Sequence, residues 1–263
     1  MNELGFNWAQ HPLLAARRRE FLGAPIHALT MAETLDLAVE AMTRRRPLHH
    51  TVVNVAKLVN MRNNAELRED VSTADVINVD GTGVVWGAKL CGVAVPERVA
   101  GVDIMTRLFA LCEERSFRPY LLGAEGSVLE TVRQRLAAEH PKLDIAGMAD
   151  GYFKPADEAG VVAAINASGA DCLFVAMPTP RKERFLKQYR HALQPSFVMG
   201  VGGSFDVYGG KVARAPRLVQ ILGFEWLFRV AQEPRRLWRR YYDTNTAYAG
   251  MLFGEWRKSL ARR

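Results

Sequence analysis

The chain reads as an α/β protein with a largely parallel sheet covered on both faces by helices, followed by a basic amphipathic helical appendage. Three observations predict this. Short apolar, β-branched runs recur along the chain, each ending in Gly, Pro, Asn or Asp and mostly followed by an amphipathic segment, the pattern of strands alternating with helices. The 263 residues are 49% hydrophobic and 24% charged, an ordinary balance for a folded globule with one large core or two lobes sharing a cleft. The net charge of +7 is confined to one segment: residues 211–263 hold twelve Lys and Arg against four Asp and Glu, whereas the 210 residues before them hold 23 against 24.

Taken in order, residues 1–24 are expected to form an N-terminal arm, 25–210 the α/β core and 211–263 the appendage. Leu35, Leu37, Ala38 and Met42 fall at helical spacing after Thr30, which predicts a helix over 31–46. HTVVNV (50–55) predicts a strand and AKLVNMRNNAELRED (56–70) helix after it. ADVINVDGTG (74–83), FRPYLLGAEG (117–126), ADCLFVAMPTP (170–180) and SFVMGVGG (196–203) predict four more strands. In such sheets ligands collect at the carboxyl ends of the strands, where Asn54, Asp80, Gly123, the 177–182 loop and Gly202 fall. The appendage mixes its arginines with Trp226, Trp238, Trp256, Phe224, Phe228, Tyr241 and Tyr242, a pattern suited to an anionic lipid surface or a phosphate-rich ligand. A solvated amphipathic helix is the plainer reading.

Several classes are disfavoured. The longest apolar stretches fall well short of the roughly 20 residues of a spanning helix. MNELGFNWAQ lacks the basic-then-apolar layout of a signal peptide, so a cytoplasmic location is expected. Cys91, Cys112 and Cys172 have neither disulfide nor metal spacing and read as small buried hydrophobes. No D-x-D pair occurs and the His residues are scattered, so a metal site is not expected.

Among residues able to carry chemistry, Asp80 stands out: INVDGTG sets a carboxylate at the end of a buried strand, with glycines that let a ligand approach the backbone. It can act as a general base, or it can merely cap the next helix. Gly123-Ala-Glu-Gly126 offers backbone amides for phosphate, or a plain turn. In MPTPRKERF, Pro180 can open a helix with Arg181 and Lys182 in its first turn, a place for cations only if an anion lies near. Gly202, Gly203 and Asp206, in GVGGSFDVYGG, suit a ribose or uracil contact, or a tight turn. Arg229, Arg236 and Arg240 stand seven and four residues apart, so one helical face could aim three guanidinium groups at a pyrophosphate.

In order, TVVN, DGTGVVWGA, PERVAGVD, YLLGAEG, ADGYF, P-x-P-x-K-E, GVGGSFD, RAP, GFEWLFRV and EPRRLWRRY resemble the WecG/TagA/CpsF glycosyltransferase family from about residue 25 to about 242. The resemblance implies a Rossmann-like core with a C-terminal appendage that reaches the membrane and completes the site. It implies inverting, metal-independent transfer of a sugar from a UDP donor to a polyprenyl-diphosphate-linked sugar, on the inner face of a bacterial membrane. By position it makes Asp80 the base, Asn54 a polar neighbour and Arg98 a site arginine. Asp206 becomes a donor-side acid, and Arg229, Arg236 and Arg239 the appendage arginines. Two departures stand out: Val52-Val53-Asn54 where the family often reads T-x-N, and Lys182 where it has glutamine. They resemble the glucosyltransferase branch of exopolysaccharide assembly, so glucose is the expected sugar, with N-acetylmannosamine or N-acetylmannosaminuronate as alternatives. No cofactor and no nucleic acid is implied, and a homo-oligomer stays open. The rival classes are a nicotinamide-dependent oxidoreductase, disfavoured by the missing G-x-G-x-x-G, and a membrane- or nucleic-acid-binding module.

Overall fold

The computed structural model describes residues 6–261; the first five residues of the expected arm and the last two of the tail lie outside the described residues. A helix α1 (Pro12–Arg17) leads into an antiparallel hairpin of β1 (Arg18–Phe21) and β2 (Ala24–His27). Leu22 and Gly23 turn it, both at positive φ, as the twist of a two-residue hairpin requires. The described part of the expected arm is therefore structured, and its hairpin crosses the boundary at residue 24.

Helix α2 (Met31–Arg44) opens on a capping box in which Thr30 and Glu33 each accept from the other's backbone N–H. There follow β3 (Leu48–Val53), α3 (Val55–Asn63), α4 (Ala65–Ser72), β4 (Val76–Val79), α5 (Thr82–Leu90) and α6 (Gly101–Arg115). Next come β5 (Pro119–Gly123), α7 (Gly126–Glu139), β6 (Gly147–Ala149), α8 (Glu158–Ala167), β7 (Cys172–Ala176), α9 (Arg181–Gln188), β8 (Phe197–Gly200) and α10 (Ser204–Tyr208). The chain closes with α11 (Arg217–Ile221), α12 (Glu225–Gln232) and α13 (Pro234–Ala261).

Six strands pair in the order β4-β3-β8-β7-β5-β6, every pair parallel. The fold is thus the expected Rossmann-like α/β sheet with a helical C-terminus. Alternation along the central strands explains the two covered faces. Leu121, Cys172 and Phe174 pack with residues of α2, α6 and α7, while their neighbours Tyr120, Leu122, Leu173 and Val175 pack with α8 and α9. The edge strand β4 is not left open, because His27 of the hairpin accepts a hydrogen bond from the Ile77 N–H at 3.1 Å.

The C-terminal segment does not simply trail from this core. Tyr248 and Met251 of α13 are buried in a cluster with Val84 and Ala88 of α5 and Leu58 of α3. The Tyr248 hydroxyl donates to the Gly83 carbonyl at 3.1 Å. A Cβ on Gly87 would overlap that hydroxyl and stand 2.7 Å from the Leu252 side chain, so a larger residue here requires those two side chains to shift. Among the described residues no helix is long and apolar enough to cross a membrane.

Candidate functional site

Because the strands run parallel, the residues that end β3, β4, β7 and β8 arrive at one edge of the sheet. Above that edge lies a cleft of about 750 Å³, roofed by residues of α12 and α13. Its size suits a small-molecule or cofactor ligand. Seven Lys and Arg side chains line it against four Asp and Glu, so its field favours an anion. A second hollow, of about 630 Å³, lies at the opposite, amino-terminal edge. There Arg190 is already committed to Asp75 at 2.6 Å.

Asp80 follows β4 directly and reaches into the cleft. It does not cap α5, whose N-cap is Gly81 and which has no side-chain cap. Asp80 Oδ2 accepts from the Gly101 N–H at 3.4 Å, at the start of α6. Burial is the largest influence on its carboxyl group and raises the pKa to about 6; Arg98 opposes the rise, and the negative charges of Glu225 and Asp103 add to it. A carboxylate so poised is ionised near neutral pH yet basic enough to take a proton.

Asn54 ends β3 and lines the cleft, but its Oδ1 is used as the N-cap of α3, accepting from the Lys57 N–H at 2.9 Å. Arg98 sits beside the lining rather than in it, its guanidinium shared between Glu225 at 2.6 Å and Gln220 at 3.3 Å. Gly202, Gly203 and Asp206 all line the cleft at the turn from β8 into α10. Gly123 does not; Ala124 and Glu125 do. A side chain at 123 would run into the Ala176 backbone, so the close pairing of β5 with β7 accounts for that glycine without a ligand.

Pro180 does cap the start of α9, and the two cations after it part company. Arg181 turns away, donating to the carbonyls of Gly151 and Phe153 at 2.8 and 2.5 Å. Lys182 lines the cleft with only 4% of its surface exposed, its ammonium 3.0 Å from Glu183 Oε1. Of the appendage arginines, 229, 236 and 240 line the cleft and Arg239 does not. Residue spacing thus picked the lining set more closely than position in the resemblance. They do not share one helical face, however: Pro234 starts a new helix, so Arg229 comes from α12 and the other two from α13.

Sequence reasoning missed Lys57, Glu183 and Glu225. Glu225 lies within GFEWLFRV and could have been flagged there; the partners Lys57 and Glu183 stand 126 residues apart, and no local pattern links them.

Two comparisons bear on this geometry. The family model described as "Glycosyl transferase WecG/TagA/CpsF family" matches residues 19–262. A curated relative, the N-acetylglucosaminyldiphosphoundecaprenol N-acetyl-beta-D-mannosaminyltransferase of Bacillus spizizenii, is 39% identical over 170 residues. That stretch covers 65% of this chain and 65% of the relative, a little under two thirds of each.

Proposed function

The chain belongs to the WecG/TagA/CpsF family of glycosyl transferases, and from that premise we propose that it moves a sugar from a UDP donor onto a sugar carried by a polyprenyl diphosphate. The observation that carries the reading is Asp80: a carboxylate with its pKa raised to about 6, inside a cleft whose other wall bears Arg229, Arg236 and Arg240. Asp80 takes the proton from the acceptor hydroxyl as its oxygen attacks the anomeric carbon. The bond from that carbon to the β-phosphate oxygen breaks, its electron pair leaves with UDP, and attack opposite the leaving group inverts the centre. The arginines stabilise the charge that grows on the departing diphosphate, a role worth several kcal/mol in a site shielded from water. Arg239, exposed outside the lining, has no part in this version.

For the donor, the relative's printed name favours UDP-N-acetylmannosamine over glucose. Lys182 in place of glutamine is one of the two departures that point to glucose. Its ammonium is held at Glu183, so it gives no ground for excluding an acetamido group. Membrane association at the inner face is supported by exposed apolar side chains, Leu218, Ile221, Leu222 and Trp238, on the same helices that carry the arginines or beside them.

Incubating the protein with UDP-N-acetylmannosamine, UDP-glucose and a synthetic lipid-diphosphate-linked N-acetylglucosamine, with and without EDTA, tests the whole reading. UDP release should depend on the acceptor, favour the acetamido donor in kcat/KM and survive chelation. No UDP release from any donor would overturn the transferase assignment; activity lost to EDTA and restored by Mg²⁺ would overturn the metal-independent mechanism.

A further inference from the structure

Beneath the cleft lies an unbalanced set of buried charges. Lys57 of α3 and Lys182 of α9 both place their ammonium on one carboxylate oxygen, Glu183 Oε1, at 2.9 and 3.0 Å. All three residues are more than nine-tenths buried. Two hydroxyls join them: Lys57 Nζ donates to Thr51 Oγ1 at 3.2 Å, and Thr179 Oγ1 donates to Glu183 Oε1 at 3.1 Å. The second carboxylate oxygen, Glu183 Oε2, is buried without a hydrogen-bond partner among the described residues. Two cations therefore share one anion and use only half of it.

A buried charge in excess of its partners is unfavourable, and a protein usually relieves it by pairing or by shifting the pKa. Here the Lys182 pKa is lowered to about 8, first by burial and then by Lys57, with Glu183 opposing. The surplus also has a direction. Lys57 and Lys182 line the cleft, whereas Glu183 lies behind them. A Cβ on Gly202 would stand 3.7 Å from Lys182 Nζ, and one on Gly203 would stand 4.0 Å from Arg229 Nη2. The bare Gly202–Gly203 turn thus has a core cation beside one glycine and an appendage cation beside the other, where Asp206 Oδ2 also lies, 3.7 Å from the same Gly203 position.

We propose that Lys182, backed by Lys57 and Glu183, forms with Arg229 an anion subsite over the Gly202–Gly203 turn, and that the diphosphate of the nucleotide donor fills it. This rests on the UDP-donor reading above. It adds that the buried surplus charge is retained for ligand binding and weakens the ligand-free fold. Removing Lys182 leaves a matched Lys57–Glu183 pair, so the variant should fold at least as stably as the parent when empty.

The test is calorimetric titration of the unmodified protein, Lys182→Met and Lys182→Gln with UDP, inorganic pyrophosphate and uridine, together with the Tm of each protein alone. The expected result is a Kd at least tenfold weaker for both UDP and pyrophosphate in the two variants, little change for uridine, and a ligand-free Tm equal to or above the parent's. A smaller loss of affinity for the diphosphates overturns the subsite, as does a variant that melts lower or fails to fold. Pyrophosphate binding that depends on Lys182, in a protein that does not bind UDP, would keep the anion subsite and remove the nucleotide donor. UDP binding indifferent to Lys182 would do the reverse, and a protein that binds neither diphosphate overturns both.

Discussion

Arg98 of the core donates a 2.6 Å hydrogen bond to Glu225 of α12, clipping the appendage to the segment that leads into α6. Arg214 reinforces the join by pairing with Asp103 at 2.6 Å. Glu225→Gln should cost about 1–2 kcal/mol of stability, the range for a hydrogen bond to a charged partner at a half-buried site. It should also lower kcat by roughly tenfold, because the clip that holds α12, which carries the cleft-lining Arg229, against the core is lost. A purely structural contact would leave the pH profile alone. Here the acid limb of kcat/KM should move to lower pH, since a negative charge that holds the Asp80 pKa up has been removed.

Asp80→Asn should reduce kcat by about 100- to 10,000-fold, the usual contribution of a general base, with UDP affinity nearly unchanged. In the unmodified enzyme, activity should fall as pH drops through about 6 and the carboxylate takes up a proton. Stability runs the other way. The folded-state pKa lies above the unfolded value, so folding favours the neutral acid, and its stabilisation is full below about pH 4 and lost as pH rises through about 6. Denaturation at pH 8 should find the asparagine variant the more stable protein, with the advantage gone at pH 4.

If the proposed membrane association holds, replacing Ile221 and Leu222 together with Ser should weaken sedimentation with anionic vesicles, because both side chains are about half or more exposed and lipid would take them out of water. Turnover of a water-soluble, short-chain acceptor should remain within about threefold. Equal vesicle binding by the double variant would remove α11 from the membrane contact. Point changes are the better probe here, since deleting everything after Arg217 also strips Tyr248 and Met251 from a buried cluster.

Much of this architecture is legible in the sequence because parallel strands buried on both faces must be apolar and must end in residues that stop them. That rule locates β3, β4, β5, β7 and β8, and it places Asp80 and Gly202 at the working edge. It fails for β6, where three half-buried residues carry no pattern, and for the β1–β2 hairpin, which is tied to the sheet by a distant contact from His27 to Ile77. In the site, spacing finds Arg229, Arg236 and Arg240, but a proline changes how they converge. Lys57 and Glu183 meet because β3 and β7 flank β8, which brings the first turns of α3 and α9 together above the strand ends, and that adjacency belongs to the sheet order rather than to any stretch of sequence.

Helix α13 is a lever. Its 28 residues span about 42 Å at 1.5 Å per residue, with Tyr248 lodged against Gly87 and Arg240 about 12 Å away toward the cleft. A side chain added at position 87 meets the ends of the Tyr248 and Leu252 side chains; as far as these do not swing aside, the helix has to shift, and Arg236 and Arg240 shift with it. The seam between α5 and α13, outside the cleft lining, thus bears on where the basic wall stands relative to Asp80. Changes along the seam between α5 and α13 should be read as changes in gap width, felt first in turnover and only later in whether the protein folds.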